Sequence, residues 1–187
     1  MIRVDQPLWL VTALYLRDAA GLRPPPAPLL PRLPLTEPPV PVDPALAELV
    51  RPGAELEWLA WWRRLWRAGV GDRPVQPPEF LELVDEPVLR ALARVGWPQA
   101  VRWAEQRKRE HARTVSRAAP VESLMVRYTE RDRRRRARPF ALDVVVLPLA
   151  GQRGWRTDPD RVLITSALYA DRFAYAAFLR PAIAALA

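Results

Sequence analysis

Between Pro24 and Pro44, ten of 21 residues are proline, and this stretch constrains the fold more than any other. Proline holds φ near −65° and lacks the N–H that helices and sheet ladders both need. The segment therefore forms neither a helix nor a central strand and runs extended or as polyproline II. It is a strap or a linker over residues 24–44. Six aliphatic side chains are interspersed in it, Leu29, Leu30, Leu33, Leu35, Val40 and Val42. A free linker has no use for them, which favours a strap packed on the protein surface.

With 187 residues, half of them hydrophobic and 27% charged, the chain has the length and composition of one folded domain over residues 1–187. It has no cysteine, which excludes disulfides and thiolate metal sites and makes cytoplasm the default location. The apolar run Pro7–Leu16 has charged flanks, Asp5 before it and Arg17 and Asp18 after it, and is too short to cross a bilayer. No membrane span is expected.

The first element, from Asp5 before Pro7 to Gly21 after Ala20, carries helix start and stop marks, while Trp9–Val11 and Leu14–Leu16 equally suit a buried strand. Asp43 caps a short helix that starts at Pro44 and ends by Arg51-Pro52-Gly53. The clearest helix follows. Trp58, Trp61, Trp62, Leu65 and Trp66 fall at i, i+3, i+4, i+7 and i+8, with Arg63, Arg64 and Arg67 toward the other side, and the pattern stops near Gly69 and Gly71. Further helical pieces are expected over Glu79–Val84 and Pro87–Val95, the latter stopped by Gly96. Pro98 then starts a basic helix whose apolar face fades after Ala104. Pro120 breaks it, and Val121–Arg138 is either a helix or a strand followed by a charged loop. Glu130 with Arg134 and Asp132 with Arg136 have the i, i+4 spacing of helical ion pairs, which favours the helix.

After Pro139, Phe140–Leu147 is β-branched and apolar and predicts a strand. Arg161–Thr165 reads as its antiparallel partner, with a turn at Gly151-Gln152-Arg153-Gly154 and another at Asp158-Pro159-Asp160. Ala167–Ala187 is Ala-rich and helical, offers Leu168, Phe178 and Leu179 to cover the sheet, and contains Pro181 as a kink or a new start. The expected class is α+β: mostly helical, with a small antiparallel sheet near the C-terminus and a C-terminal helix over it.

Charge is confined to one region. Residues 102–138 hold 13 basic and 5 acidic side chains, which equals the +8 of the whole chain, so the remainder is neutral. Within this basic arm lie Arg107, Lys108, Arg109 and Arg113, and then Arg131, Arg133, Arg134, Arg135, Arg136 and Arg138. Guanidinium forks bind phosphate or carboxylate oxygens and stay charged at all relevant pH, so the cluster suits an acidic protein surface or nucleic acid. The plainer alternative is a solvated helix and loop partly neutralised by Glu105, Glu110, Glu130 and Asp132. Trp103, Tyr128 and Phe140 flank the arm, either as core residues or as stacking partners for bases.

The stripe Trp58, Trp61, Trp62 and Trp66 is a core wedge or the centre of an interface. His111 is the only histidine and reads as a surface residue. Glu79 and Glu82 would share a helix face as an acid–base or metal pair, but acidic residues are also favoured at a helix start. Neither a GxxxxGK[ST] nor a GxGxxG loop occurs, and no serine sits in a nucleophile elbow. These features point to a non-enzymatic binding or assembly protein without a cofactor, acting on an acidic protein surface. A nucleic-acid-binding protein and an enzyme for a phosphorylated substrate, the latter needing Glu79, Glu82 or Asp143 beside the arginines, are the alternatives.

Overall fold

The computed structural model describes residues 1–26, 32–68, 77–117 and 121–187, with only the backbone of Ser116 and Arg117. Leu29, Leu30, Gly69, Gly71 and Pro120 therefore lie outside the described residues. The fold is α+β and mostly helical, as expected, and its residues gather into two compact units, Pro7–Arg109 and Met1–Gln6 with Glu110–Ala187.

The first unit is helical. The ambiguous first element is a helix, α1 (Leu8–Ala19), entered from Pro7 rather than capped by Asp5. Gly21, at φ +71, ends it in the left-handed conformation a helix stop favours. In α2 (Pro44–Ala47) the Asp43 carboxylate accepts from the Ala45 N–H at 2.9 Å and proline fills the first position, as read from the sequence. The tryptophan helix α3 (Ala54–Ala68) buries Trp58, Trp61 and Trp62 together with Leu65. Each indole removes some 150–250 Å² from water, worth about 4–6 kcal/mol of gross burial free energy. The stripe therefore anchors this unit.

Two expected helices are one. Helix α4 (Pro87–Arg117) continues through Gly96 and Pro98. A Cβ at residue 96 would lie 2.7 Å from Leu16 Cδ2 and 3.1 Å from Leu46 Cδ1, so the glycine is there for close packing and not as a stop. Where Glu79–Val84 was expected to be helical, the chain makes a turn and a single 3-10 turn over Leu81–Leu83, entered from Phe80 at φ +49.

Among the described residues the proline strap is tied down by polar groups, and its aliphatic side chains are half-buried or exposed. Leu35 and Val42 are exposed, whereas Thr36 is buried and its N–H donates to Asp18 Oδ2 at 2.7 Å. Arg17 donates from Nη2 to the Pro34 carbonyl at 2.7 Å and from Nε to Asp18.

The second unit contains a four-stranded sheet in the order β1 (Ile2–Asp5), β2 (Leu142–Leu147), β4 (Arg161–Thr165), β3 (Gly154–Asp158). Here the expectation is corrected: β2 and β4 pair in parallel, as do β1 and β2, and only β3 runs antiparallel, against β4. The stretch 154–158, taken from sequence as loop, is the return strand that lets β4 run the same way as β2. The hairpin turn is therefore at Pro159-Asp160, and Gly151–Gly154 connects two strands that are not neighbours. Residues Val144–Leu147 are buried without alternation, as central strands of parallel sheets are.

Helices α6 (Ser166–Ala170) and α7 (Arg172–Leu186) follow, separated at Asp171, whose carboxylate accepts from the N–H groups of Phe173 and Ala174. These hydrogen bonds and one from Gln152 hold the Asp171 carboxyl below its usual range. Pro181 is accommodated inside α7. Leu168, Leu179 and Phe178 pack on the core formed by Leu142, Val144, Val146, Val162 and Ile164. Phe178 lies so close over Gly154 that a Cβ there would fall 2.6 Å from its ring.

Candidate anion-contacting surface

Val121–Arg133 is a helix, α5. Val121, Met125 and Val126 pack on the sheet core and Thr129 is buried, its Oγ1 donating to the Met125 carbonyl at 2.9 Å. That stripe fixes the helix's orientation. Tyr128 and Arg127 are exposed on the remaining surface, and so is Arg131 one turn further on.

The helix stops within the arginine run. Arg134 has φ +51, its N–H donates to the Arg131 carbonyl at 3.2 Å, and the Arg135 N–H donates to the Glu130 carbonyl at 3.2 Å. These two bonds form a Schellman ending with arginine in the left-handed position that glycine usually takes. Because the backbone turns there, the expected ion pairs Glu130–Arg134 and Asp132–Arg136 do not form. Glu130 Oε1 accepts instead from the Ala137 N–H at 2.9 Å, and Asp132 Oδ2 pairs with Arg180 at 3.1 Å. Arg133 donates to the Ala184 carbonyl, and the Arg138 N–H to the Ala187 carbonyl at 3.4 Å.

Arg131, Arg133, Arg134, Arg135, Arg136 and Arg138 are all exposed. Among the described residues none of the six has a carboxylate partner. Arg131 and Arg133 also lie in the last turn of α5, where the helix dipole favours cations.

The other basic positions stand differently. Arg113 is exposed near the end of α4 in the same unit. Arg107, Lys108 and Arg109 belong to the helical unit, where the Arg107 guanidinium lies 5.7 Å over the Trp103 ring and Arg109 pairs with Glu105 at 3.7 Å. Of the flanking aromatics, Phe140 packs against the sheet core and Trp103 lies 5.7 Å from Tyr15, while Tyr128 is 58% exposed.

Three tryptophans named as interface candidates are interior. Trp58, Trp61 and Trp62 are at most 1% exposed, Trp58 and Trp62 stack with centroids 5.0 Å apart, and Trp58 Nε1 donates to the Ala13 carbonyl at 2.9 Å. Only Trp66 keeps partial exposure. Glu79 and Glu82 do not share a helix face, since Glu79 lies in a turn 3.7 Å from Arg94 and Glu82 on the 3-10 turn. Asp143 lies 3.5 Å from Arg161 on the neighbouring strand.

Two buried charged clusters were missed from sequence. The first joins Arg17, Asp18 and Thr36. The second, in the sheet unit, packs the Arg172 guanidinium 5.0 Å from the Tyr169 ring and 5.2 Å from the Tyr175 ring, two rings that meet edge-on with centroids 5.0 Å apart, and Tyr175 donates to Glu122 Oε1 at 2.8 Å. His111, expected at the surface, is half-buried with its ring 5.2 Å from that of Tyr169. Burial pushes the Tyr175 phenol far above its ordinary range, and the Glu122 carboxylate pushes it the same way. Tyr169 is also raised, chiefly by burial. The signal for the second cluster was an arginine and a tyrosine spaced i, i+3 inside an apolar helix.

Among the described residues no group of three or more acidic or histidine side chains is placed to hold a metal ion, and no helix is long and apolar enough to cross a membrane. Comparison with protein-family models, with curated proteins and with solved structures found no match for this chain.

Proposed function

We propose that the protein is a non-enzymatic binding protein, an accessory or assembly subunit, that contacts an acidic protein surface through Arg131, Arg133, Arg134, Arg135, Arg136 and Arg138. One observation carries this reading: the two acids that would neutralise the run, Glu130 and Asp132, are held by Ala137 and Arg180. Six exposed arginines thereby lie on the last turn of α5 and the turn after it, which two backbone hydrogen bonds fix, and of their guanidinium groups Arg133 spends a donor on the Ala184 carbonyl. Guanidinium pairs bind carboxylates bidentately and give association that weakens as salt rises. The tryptophan helix serves this function indirectly, by holding its own unit together.

Exposed Tyr128, one turn before Arg131, supports single-stranded nucleic acid as a second partner class. A phenol face beside phosphate-binding arginines stacks on an unpaired base without reading its identity. The test is fluorescence anisotropy of a labelled poly-glutamate peptide and a labelled oligothymidylate, each titrated with wild type and with the fourfold variant Arg133→Ala, Arg134→Ala, Arg135→Ala and Arg136→Ala. Binding lost in the variant supports the run as the contact, and the tighter ligand names the class. Binding of neither ligand at low salt overturns both readings.

A further inference from the structure

The helical unit holds a second basic feature, unrelated to the arginine run. Where the chain leaves α1 and where the strap returns, a small hollow is lined by Arg17, Arg23 and Arg32 with Pro24, Leu33 and Trp58 among its walls. Among the described residues, no acidic side chain lines it. Arg17 is 2% exposed, and its side chain is fixed on three sides: Nε on Asp18, Nη2 on the Pro34 carbonyl, and the guanidinium 5.9 Å over the Trp58 ring. Its Nη1 donates to no described residue. Arg23 spends one donor on the Leu22 carbonyl at 2.8 Å, and Arg32 has no ion-pair partner among the described residues.

Asp18 compensates one of the three guanidinium charges, which leaves two positive charges around a hollow of 50 Å³. One water needs about 10–15 Å³ of such space, so the hollow takes a group of roughly four water-sized atoms. A phosphate group has that size, carries a charge of about −1.5 to −2 at neutral pH, and presents three oxygens to guanidinium donors. A carboxylate would leave one of the two charges unmatched. We propose that this hollow is a binding site for a single phosphate group, with Arg17 as the fixed floor and Arg23 and Arg32 flanking it. Its apolar wall, Pro24, Leu33 and Trp58, faces whatever the phosphate is attached to.

Isothermal titration at constant ionic strength tests this, with inorganic phosphate in one arm and phenyl phosphate in the other. The chain as it stands is compared with the double variant Arg23→Gln and Arg32→Gln and with the fourfold alanine variant of Arg133–Arg136. Arg23 and Arg32 are exposed and make no contact on which the core depends, so the double variant keeps its fold, which its unfolding midpoint verifies. The expected result is saturable binding of at least one probe by wild type and by the fourfold variant, weakened tenfold or more in the double variant. Tighter binding of phenyl phosphate identifies an esterified phosphate, and binding of inorganic phosphate alone identifies the free ion. No saturable heat in wild type overturns the site, as does undiminished binding in the double variant or binding lost in the fourfold variant instead.

Discussion

Arg17 and Arg134 place the same side chain in opposite settings. In the helical unit, Arg17 is buried, bonded to Asp18 and to the Pro34 carbonyl, and stacked on Trp58. In the sheet unit, Arg134 and its neighbours are exposed, and the nearby carboxylates are engaged elsewhere. A guanidinium withdrawn from water is tolerated only with its partners in place, and it then organises the chain around it. An array of guanidinium groups left in water organises nothing within the fold and remains available to another molecule. Residue type and local charge density do not separate these two uses; the fate of the neighbouring carboxylates does.

The sharpest way to break this contrast is Asp18→Ala. It strands the Arg17 charge and the Thr36 N–H in a buried setting, and breaking such a pair costs about 3–5 kcal/mol. Urea unfolding should show that loss, with the strap released. A change under 1 kcal/mol would mean that the strap does not depend on the pair.

Tyr175→Phe probes the buried cluster of the other unit. Loss of the hydroxyl leaves the Glu122 carboxylate without that donor, at a cost of about 1–3 kcal/mol near neutral pH. The pH dependence has a definite sign. Burial raises the phenols of Tyr15, Tyr169 and Tyr175, so above the unfolded value near 10 the folded chain holds protons that the unfolded chain releases. Stability from this source is complete below pH about 10 and falls as pH rises beyond it. Urea midpoints at pH 8, 10 and 11 should decline, and more shallowly for Tyr175→Phe. Identical slopes for the two proteins would contradict the burial of this phenol.

Smaller still is the effect of Arg134→Gly. Removing the Cβ from a residue at φ +51 relieves about 1 kcal/mol of left-handed strain. Thermal unfolding should shift upward, and a downward shift would show that the arginine side chain contributes to the fold. Replacing Arg135 or Arg136 by Ala should move stability by no more than about 0.5 kcal/mol. A larger loss would place those side chains inside the structure's own contacts and remove them from the proposed surface.

What was legible in the sequence was local. The tryptophan stripe, the Asp43-Pro44 helix start and the Gly21 stop depend on spacing and backbone preference within a few residues, and the structure keeps all three. Parallel pairing of β2 with β4 was not legible by spacing, because it depends on a return strand, Gly154–Asp158, too short and polar to stand out. The unbroken Val144–Leu147 run was nevertheless the mark of a central parallel strand, and the Ile2, Val4 alternation marked β1.

The arginine run was visible as composition, but its availability was not. That depends on one non-glycine residue turning left-handed at position 134, which moved Glu130 and Asp132 out of register with their expected partners. Arg17 and Asp18 entered only as charges closing an apolar stretch, since the Thr36 backbone that justifies their burial is 18 residues away.

The salt dependence of binding to poly-glutamate and to oligothymidylate tests these contacts most directly. A flexible polyanion bound through phosphate contacts loses affinity with a slope of about −0.7 per neutralised phosphate in a plot of log K against log salt concentration. Removing Arg133, Arg134, Arg135 and Arg136 together should flatten that slope by about 3. Equal slopes for the wild type and the fourfold variant with both polyanions, or no binding of either by the wild type at low salt, would show that these arginines are a solvated surface and not a contact.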